Sequence, residues 1–169
     1  MITSEFSRTV SLDTILDPTT IHFEATADEC IALSKRLQVC VHNLVSDVTI
    51  EPSVGGKSHM IQGKLTARLE QTCAVTLEPI QNNITATFKV FFTPHVYAET
   101  IIMEDEDQEF YDDPAIDIGE IIAQYLCLNI DQAPRQEGAV IANEESAPAE
   151  EPKNKPFANL NQKLGLDKK

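Results

Sequence analysis

The hydrophobic pattern switches between a period of two and a period near 3.6, and each switch marks an element. Residues 5–12 alternate, with Phe6, Val10 and Leu12 on one face and Ser7, Thr9 and Ser11 on the other, which predicts a strand. After Asp17-Pro18, the residues Ile21, Phe23 and Ala25 repeat that period. Thr26-Ala27-Asp28-Glu29 then has the form of a capping box: Thr26 accepts from the Glu29 amide while the Glu29 carboxylate reaches back. The helix it opens is expected to run to about Leu37, with Ala27, Cys30, Ile31, Ser34 and Leu37 on one stripe.

Residues 41–51 return to alternation with Leu44, Val48 and Ile50 inward, and Pro52 with Gly55-Gly56 makes a turn. The two clearest strands follow. In 61–70, Ile61, Leu65, Ala67 and Leu69 alternate with Gln62, Lys64, Thr66, Arg68 and Glu70. In 84–93, Ile84, Ala86, Phe88, Val90 and Phe92 alternate with Thr85, Thr87, Lys89 and Thr93. The pair predicts a hairpin across a loop at 73–82, and apolar residues on one face only predict an antiparallel sheet. A second helix is opened by Asp117, with Glu120 three residues on, and buries Ile118, Ile121, Ile122, Tyr125 and Leu126. It is expected to stop near Asn129, ahead of Pro134.

The resulting order, β-β-α-β-β-β-α, is an α+β fold in a single domain over residues 1–133. About five strands make a mostly antiparallel sheet, and two helices cover one face or plug a partly closed barrel. From 134 to 156 the composition shifts to Pro, Ala, Glu and Gln, which predicts a disordered acidic linker. Phe157, Leu160 and Leu164 then recur at i, i+3 and i+7 in a short amphipathic tail motif over 157–169. A 23-residue coil lets that motif roam about 26 Å from the domain. It can pack back, stay disordered, or fold into a partner's groove, and the residues leave those three readings open.

Charge narrows the partners. Asp and Glu number 27 against 13 Lys and Arg in 169 residues, a net charge of −14. Ten of the acids fall in 99–120, a stretch with no Lys or Arg. Such a chain is repelled by nucleic acid and by anionic lipid and is suited to basic proteins or cations; the charge also favours a monomer. The run Glu104, Asp105, Glu106, Asp107, Gln108, Glu109 lacks the glycine and spaced acids of a calcium loop. With Asp112 and Asp113 it reads as a solvated acidic loop or, more sharply, as a docking surface for a basic protein. Lys64, Arg68 and Lys89 project from the polar faces of neighbouring strands and offer a small RNA patch. No aromatic residues are interleaved there to stack bases, so a plain solvated face competes with that reading.

Other chemistry is thin. Cys30, Cys40, Cys73 and Cys127 form no Cys-x-x-Cys pair, and three sit beside apolar residues, so buried reduced thiols are expected and no metal or cofactor. His22, His42, His59 and His95 stand in no nucleophile or metal pattern, and Gly55-Gly56 lacks the phosphate-loop pattern. No enzyme is predicted. The N-terminal residues lack a signal-peptide core and no stretch can span a bilayer, so the expectation is a soluble, cytoplasmic protein without membrane partners.

Three segments together resemble the YceD family, the large ribosomal RNA subunit accumulation proteins, in its alphaproteobacterial form. They are Thr72-Cys73-Ala-Val-Thr-Leu-Glu-Pro79 with the strand ending Phe91-Phe92-Thr-Pro94; Ile116 to Asp131 with Pro134-Arg135; and Pro156-Phe157-Ala-Asn-Leu160. The resemblance covers about residues 60–166 and implies a non-catalytic factor supporting accumulation of 23S rRNA, with a basic ribosomal protein or pre-ribosomal particle as partner. Direct RNA binding and a general acidic adaptor unrelated to ribosomes are the alternatives. Many family members carry Cys-x-x-Cys at the hairpin turn; here Cys73 holds the first position and Thr76 the second, so no metal or thiol-pair role is carried over.

Overall fold

Alternating apolar residues build three long strands, and everything else is arranged around them. The structure, a computed structural model, describes residues 5–53, 57–99 and 107–139. In chain order the elements are β1 (Thr9–Ser11), β2 (Thr19–Glu24), α1 (Ala27–Leu37), β3 (Cys40–Pro52), β4 (His59–Thr72), β5 (Pro79–Pro94), β6 (Gln108–Tyr111), β7 (Ala115–Asp117) and α2 (Ile118–Asn129). Two single 3-10 turns, Leu12–Thr14 and His95–Tyr97, follow β1 and β5. Residues through Glu137 form one compact unit.

One sheet has the order β2-β3-β4-β5-β6; β1 pairs only with β7, as a separate two-stranded sheet. The β2-β3, β3-β4 and β4-β5 pairs are antiparallel, and β6 adds to β5 in parallel. No barrel closes. The edges β2 and β6 are six and four residues long, and the chain beyond β6 turns away to pair with β1 instead of reaching β2. The expected helices are present, α1 behind its complete capping box and α2 behind Asp117, whose side chain accepts from the Gly119 and Glu120 amides.

The core lies under one face of the sheet. Leu44, Val48, Ile50, Ile61, Leu65 and Leu69 meet Leu33 of α1 and Ile118, Ile122 and Leu126 of α2 in one buried cluster, with Phe6 and Leu12 closing it. Burial of each such side chain contributes about 1.5–3 kcal/mol. Gly63 makes room in this layer: a Cβ there would overlap the Phe88 ring, its cross-strand neighbour, which stacks on Tyr125 of α2 with centroids 4.8 Å apart.

Several expectations are corrected. Residues 5–12 are not one strand; pairing lasts three residues before Leu12 turns inward, its N–H donating to Pro114 O. Ile31 is not on the buried stripe of α1 but 56% exposed, and Leu33 takes the core position. The hairpin loop is shorter than 73–82, because β5 begins at Pro79. Cys40 and Cys127 are exposed rather than buried, the first at the outward start of β3 and the second on the outer side of α2 beside exposed Leu128. The acidic stretch is not all loop, since it holds β6 and β7. Beyond residue 139 the linker and tail, with Phe157, Leu160 and Leu164, lie outside the described residues.

Candidate functional site

The solvent face of the large sheet is a lattice of short polar side chains. Register sets Thr20, Thr49, Gln62 and Lys89 in one cross-strand row, and His22, Asp47, Lys64 and Thr87 in the next. Asn43, Arg68 and Asn83 make a third. Strand alternation, with Leu65, Ala67, Phe88 and Val90 buried, is what turns Lys64, Arg68 and Lys89 to one side. The three cations are thus brought to a single face, as the sequence pattern anticipates. Asp47, opposite Lys64, is taken by His22 at 2.7 Å. No ion pair holds Lys64 or Arg68 among the described residues, whereas Lys89 lies 4.8 Å over the Phe91 ring.

The acids collect at the β6 edge of the same sheet. Glu109 stands exposed on β6, and Asp112 and Asp113 are exposed in the turn that follows. None pairs with a cation among the described residues. Asp107 is engaged differently. Its carboxylate accepts from Tyr125 OH at 2.8 Å and its carbonyl from Phe91 N–H at 2.8 Å, which pins the start of β6. That hydrogen bond, after desolvation, helps hold the Tyr125 phenol up at about 12. Asp113 caps the Ala115 amide at 2.9 Å. Glu104, Asp105 and Glu106 lie outside the described residues.

The β4-β5 turn holds a feature that spacing alone did not reveal. Cys73 is closed to solvent, and its Sγ accepts from the Thr76 amide at 3.4 Å and the Gln136 amide at 3.3 Å. Bonds from the Thr76 side chain first, then from these amides, bring the thiol down to about 6, and desolvation opposes them least. Leu77 adopts φ 60°, the left-handed step that lets the loop wrap the sulfur. Ala74 N–H donates to Pro134 O at 2.8 Å, so residues 134–136 are tied to the turn. Thr76 therefore supplies a donor where a second cysteine would supply a ligand. Among the described residues no three His, Cys, Asp or Glu side chains are grouped to hold a metal ion, and no helix is long and apolar enough to cross a membrane.

The family model described as large ribosomal RNA subunit accumulation protein YceD matches residues 61–163, more than half of the chain. The chain belongs to the YceD family. The match begins in β4, takes in the Cys73 turn, both candidate surfaces and α2, and runs into the tail. The family's description implies a role in accumulation of large-subunit ribosomal RNA. No curated protein and no solved structure matches the chain.

Proposed function

We propose that this YceD-family chain supports accumulation of large-subunit ribosomal RNA in the cytoplasm, as a monomer and without catalysis, by holding a basic ribosomal protein or assembly intermediate against its acidic edge. The observation that carries this reading is the exposure of Glu109, Asp112 and Asp113 with no cation beside them among the described residues. Unneutralised acids raise the on-rate for a basic partner and reject polyanions. The test is charge reversal at Glu104, Glu106, Glu109 and Asp112, leaving Asp107 and Asp113 to their hydrogen bonds. Capture of basic ribosomal proteins should be abolished; undiminished capture by a folded variant overturns the proposal.

A second reading, direct RNA contact, is favoured by the common face of Lys64, Arg68 and Lys89. It predicts RNA affinity falling steeply with salt, with the log–log slope reduced by about 2 when all three are replaced by Ala. Salt-independent binding, or a slope that ignores the triple substitution, sinks it. A general acidic adaptor, with specificity from the 157–169 motif, is separated from both by deleting 156–169. Retention of the ribosomal phenotype argues against it.

A further inference from the structure

The row of Asn43, Arg68 and Asn83 has a neighbour that strand alternation does not supply. Cys40 faces Glu70 and Val41 faces Leu69, but the next pair is Asn43 with Arg68, so His42 is the extra residue of a β-bulge. The bulge keeps Val41 and Leu44 buried and leaves His42 exposed. His42 thereby shares one hollow, about 400 Å³ in volume, with Arg68, Gln81 and Asn83. It also lines a second hollow, which carries Lys35.

The chemistry of the first hollow is that of an anion site. Arg68 brings a planar fork of N–H donors, Asn83 an amide NH₂ and His42 a ring N–H. Neither Arg68 nor Lys35 is held by an ion pair among the described residues. The carboxylate on the next row, Glu70, is already engaged: its Oε2 accepts from Gln81 Nε2 at 2.7 Å and lies 3.7 Å from His42 Nε2. On the other side of Arg68, the row on β3, β4 and β5 carries only uncharged Val45, Thr66 and Thr85. The acids of β6 are remote. That strand pairs with Phe91 to Pro94, and Asn83 stands eight residues before Phe91 along β5, or about 27 Å of strand. The separation exceeds the Debye length of about 8 Å at physiological salt, so the net charge of −14 does not cancel the local field.

We propose that His42, Arg68 and Asn83 form a binding site for a phosphate group, the guanidinium gripping two of its oxygens and the other two side chains donating to the remainder. Only Arg68 is shared with the basic face on which the RNA reading rests, and the site is tested first with a probe that is not RNA. The isotope-labelled full chain is titrated with inorganic phosphate against chloride at constant ionic strength, and the amide shifts are followed by nuclear magnetic resonance. The amides of His42, Arg68 and Asn83 should move and saturate. Saturation should vanish in Arg68→Ala and in Asn83→Asp, which sets a carboxylate against the anion. Arg68→Lys, which keeps the charge and loses the fork, should weaken binding about fivefold. Lys57→Ala removes an exposed cation elsewhere and should change nothing. Because His42, Arg68 and Asn83 are exposed, the variants should keep the far-ultraviolet circular dichroism of the parent. Shifts that fail to saturate, or that survive Arg68→Ala in a folded variant, would overturn the proposal. A second arm adds single-stranded RNA without terminal phosphates to the phosphate-saturated chain. Displacement at the same amides supports the site with backbone phosphates as its source. Saturation by phosphate with no displacement by RNA supports it as a site for a free phosphate or phosphate monoester, and the RNA reading fails while the site stands.

Discussion

Glu29 binds two separate segments of the chain through one carboxylate. Arg8 donates to it through two nitrogens, at 2.7 and 2.9 Å, and the Thr26 amide donates at 2.8 Å. The Arg8 hydrogen bonds are the chief reason its carboxyl is pulled from 4.5 to about 2. The folded value lies below the unfolded one, so the stability it contributes is complete above about pH 4.5 and is lost as pH falls toward about 2. Glu29→Gln should cost about 2 kcal/mol at pH 7 and flatten the acid limb between pH 5 and pH 2, read by urea unfolding at a series of pH values. An unaltered acid limb would mean that the pair does not govern it. The capping half of this arrangement was legible because Thr26 and Glu29 are three residues apart. The Arg8 half was not, since the two residues are 21 positions apart. The burial of His59 was hidden for the same reason: it pushes the imidazole below the ordinary 6.5 and is made beside Asp13 and Ile15, far away in the chain.

Whole elements were legible where period and length agreed. The long strands β3, β4 and β5 follow the alternation, and α1 and α2 begin at the residues their capping side chains mark. The elements missed are β6 and β7, while β1 was expected but drawn too long. At three or four residues, β6 and β7 are too brief to display a period, and their pairing is supplied by partners already in place. Isolated glycines in strands were equally silent. Gly63 is required because the Phe88 ring lies across it, beneath Tyr125. Gly63→Ala should therefore destabilise by about 1–3 kcal/mol, seen as a lower Tm, through forced displacement of the ring. A Tm at or above that of the parent would show that the ring can move aside freely.

At the scale of the molecule, the acidic balance was readable at once from composition, but its division of labour was not. Of the acids described, Asp107 accepts from the Tyr125 hydroxyl and Asp113 from the Ala115 amide, while the carboxylates of Glu109 and Asp112 stand exposed, a distinction that depends on where β6 starts and ends. The basic face was readable because β4 and β5 alternate without interruption past Lys64, Arg68 and Lys89. In cells, deletion of this chain should lower the ratio of large- to small-subunit ribosomal RNA, and the outward acids, restored or reversed, should decide whether the ratio recovers. A ratio that does not move on deletion would leave the binding surfaces without a role in ribosome formation.

The pairing of β1 with β7 joins Thr9 to Asp117, and the Arg8 and Ile118 backbones add to the same clasp through Asp117 Oδ1 and Arg8 O. The other antiparallel pairs connect neighbours in sequence. As the chain leaves the ribosome, the β2-to-β5 meander can therefore assemble early, while β1, made before it, waits for β7 to appear. Until residue 117 emerges, Phe6 and Leu12 have no finished core to enter, and β1 remains a loose end on a sheet already made.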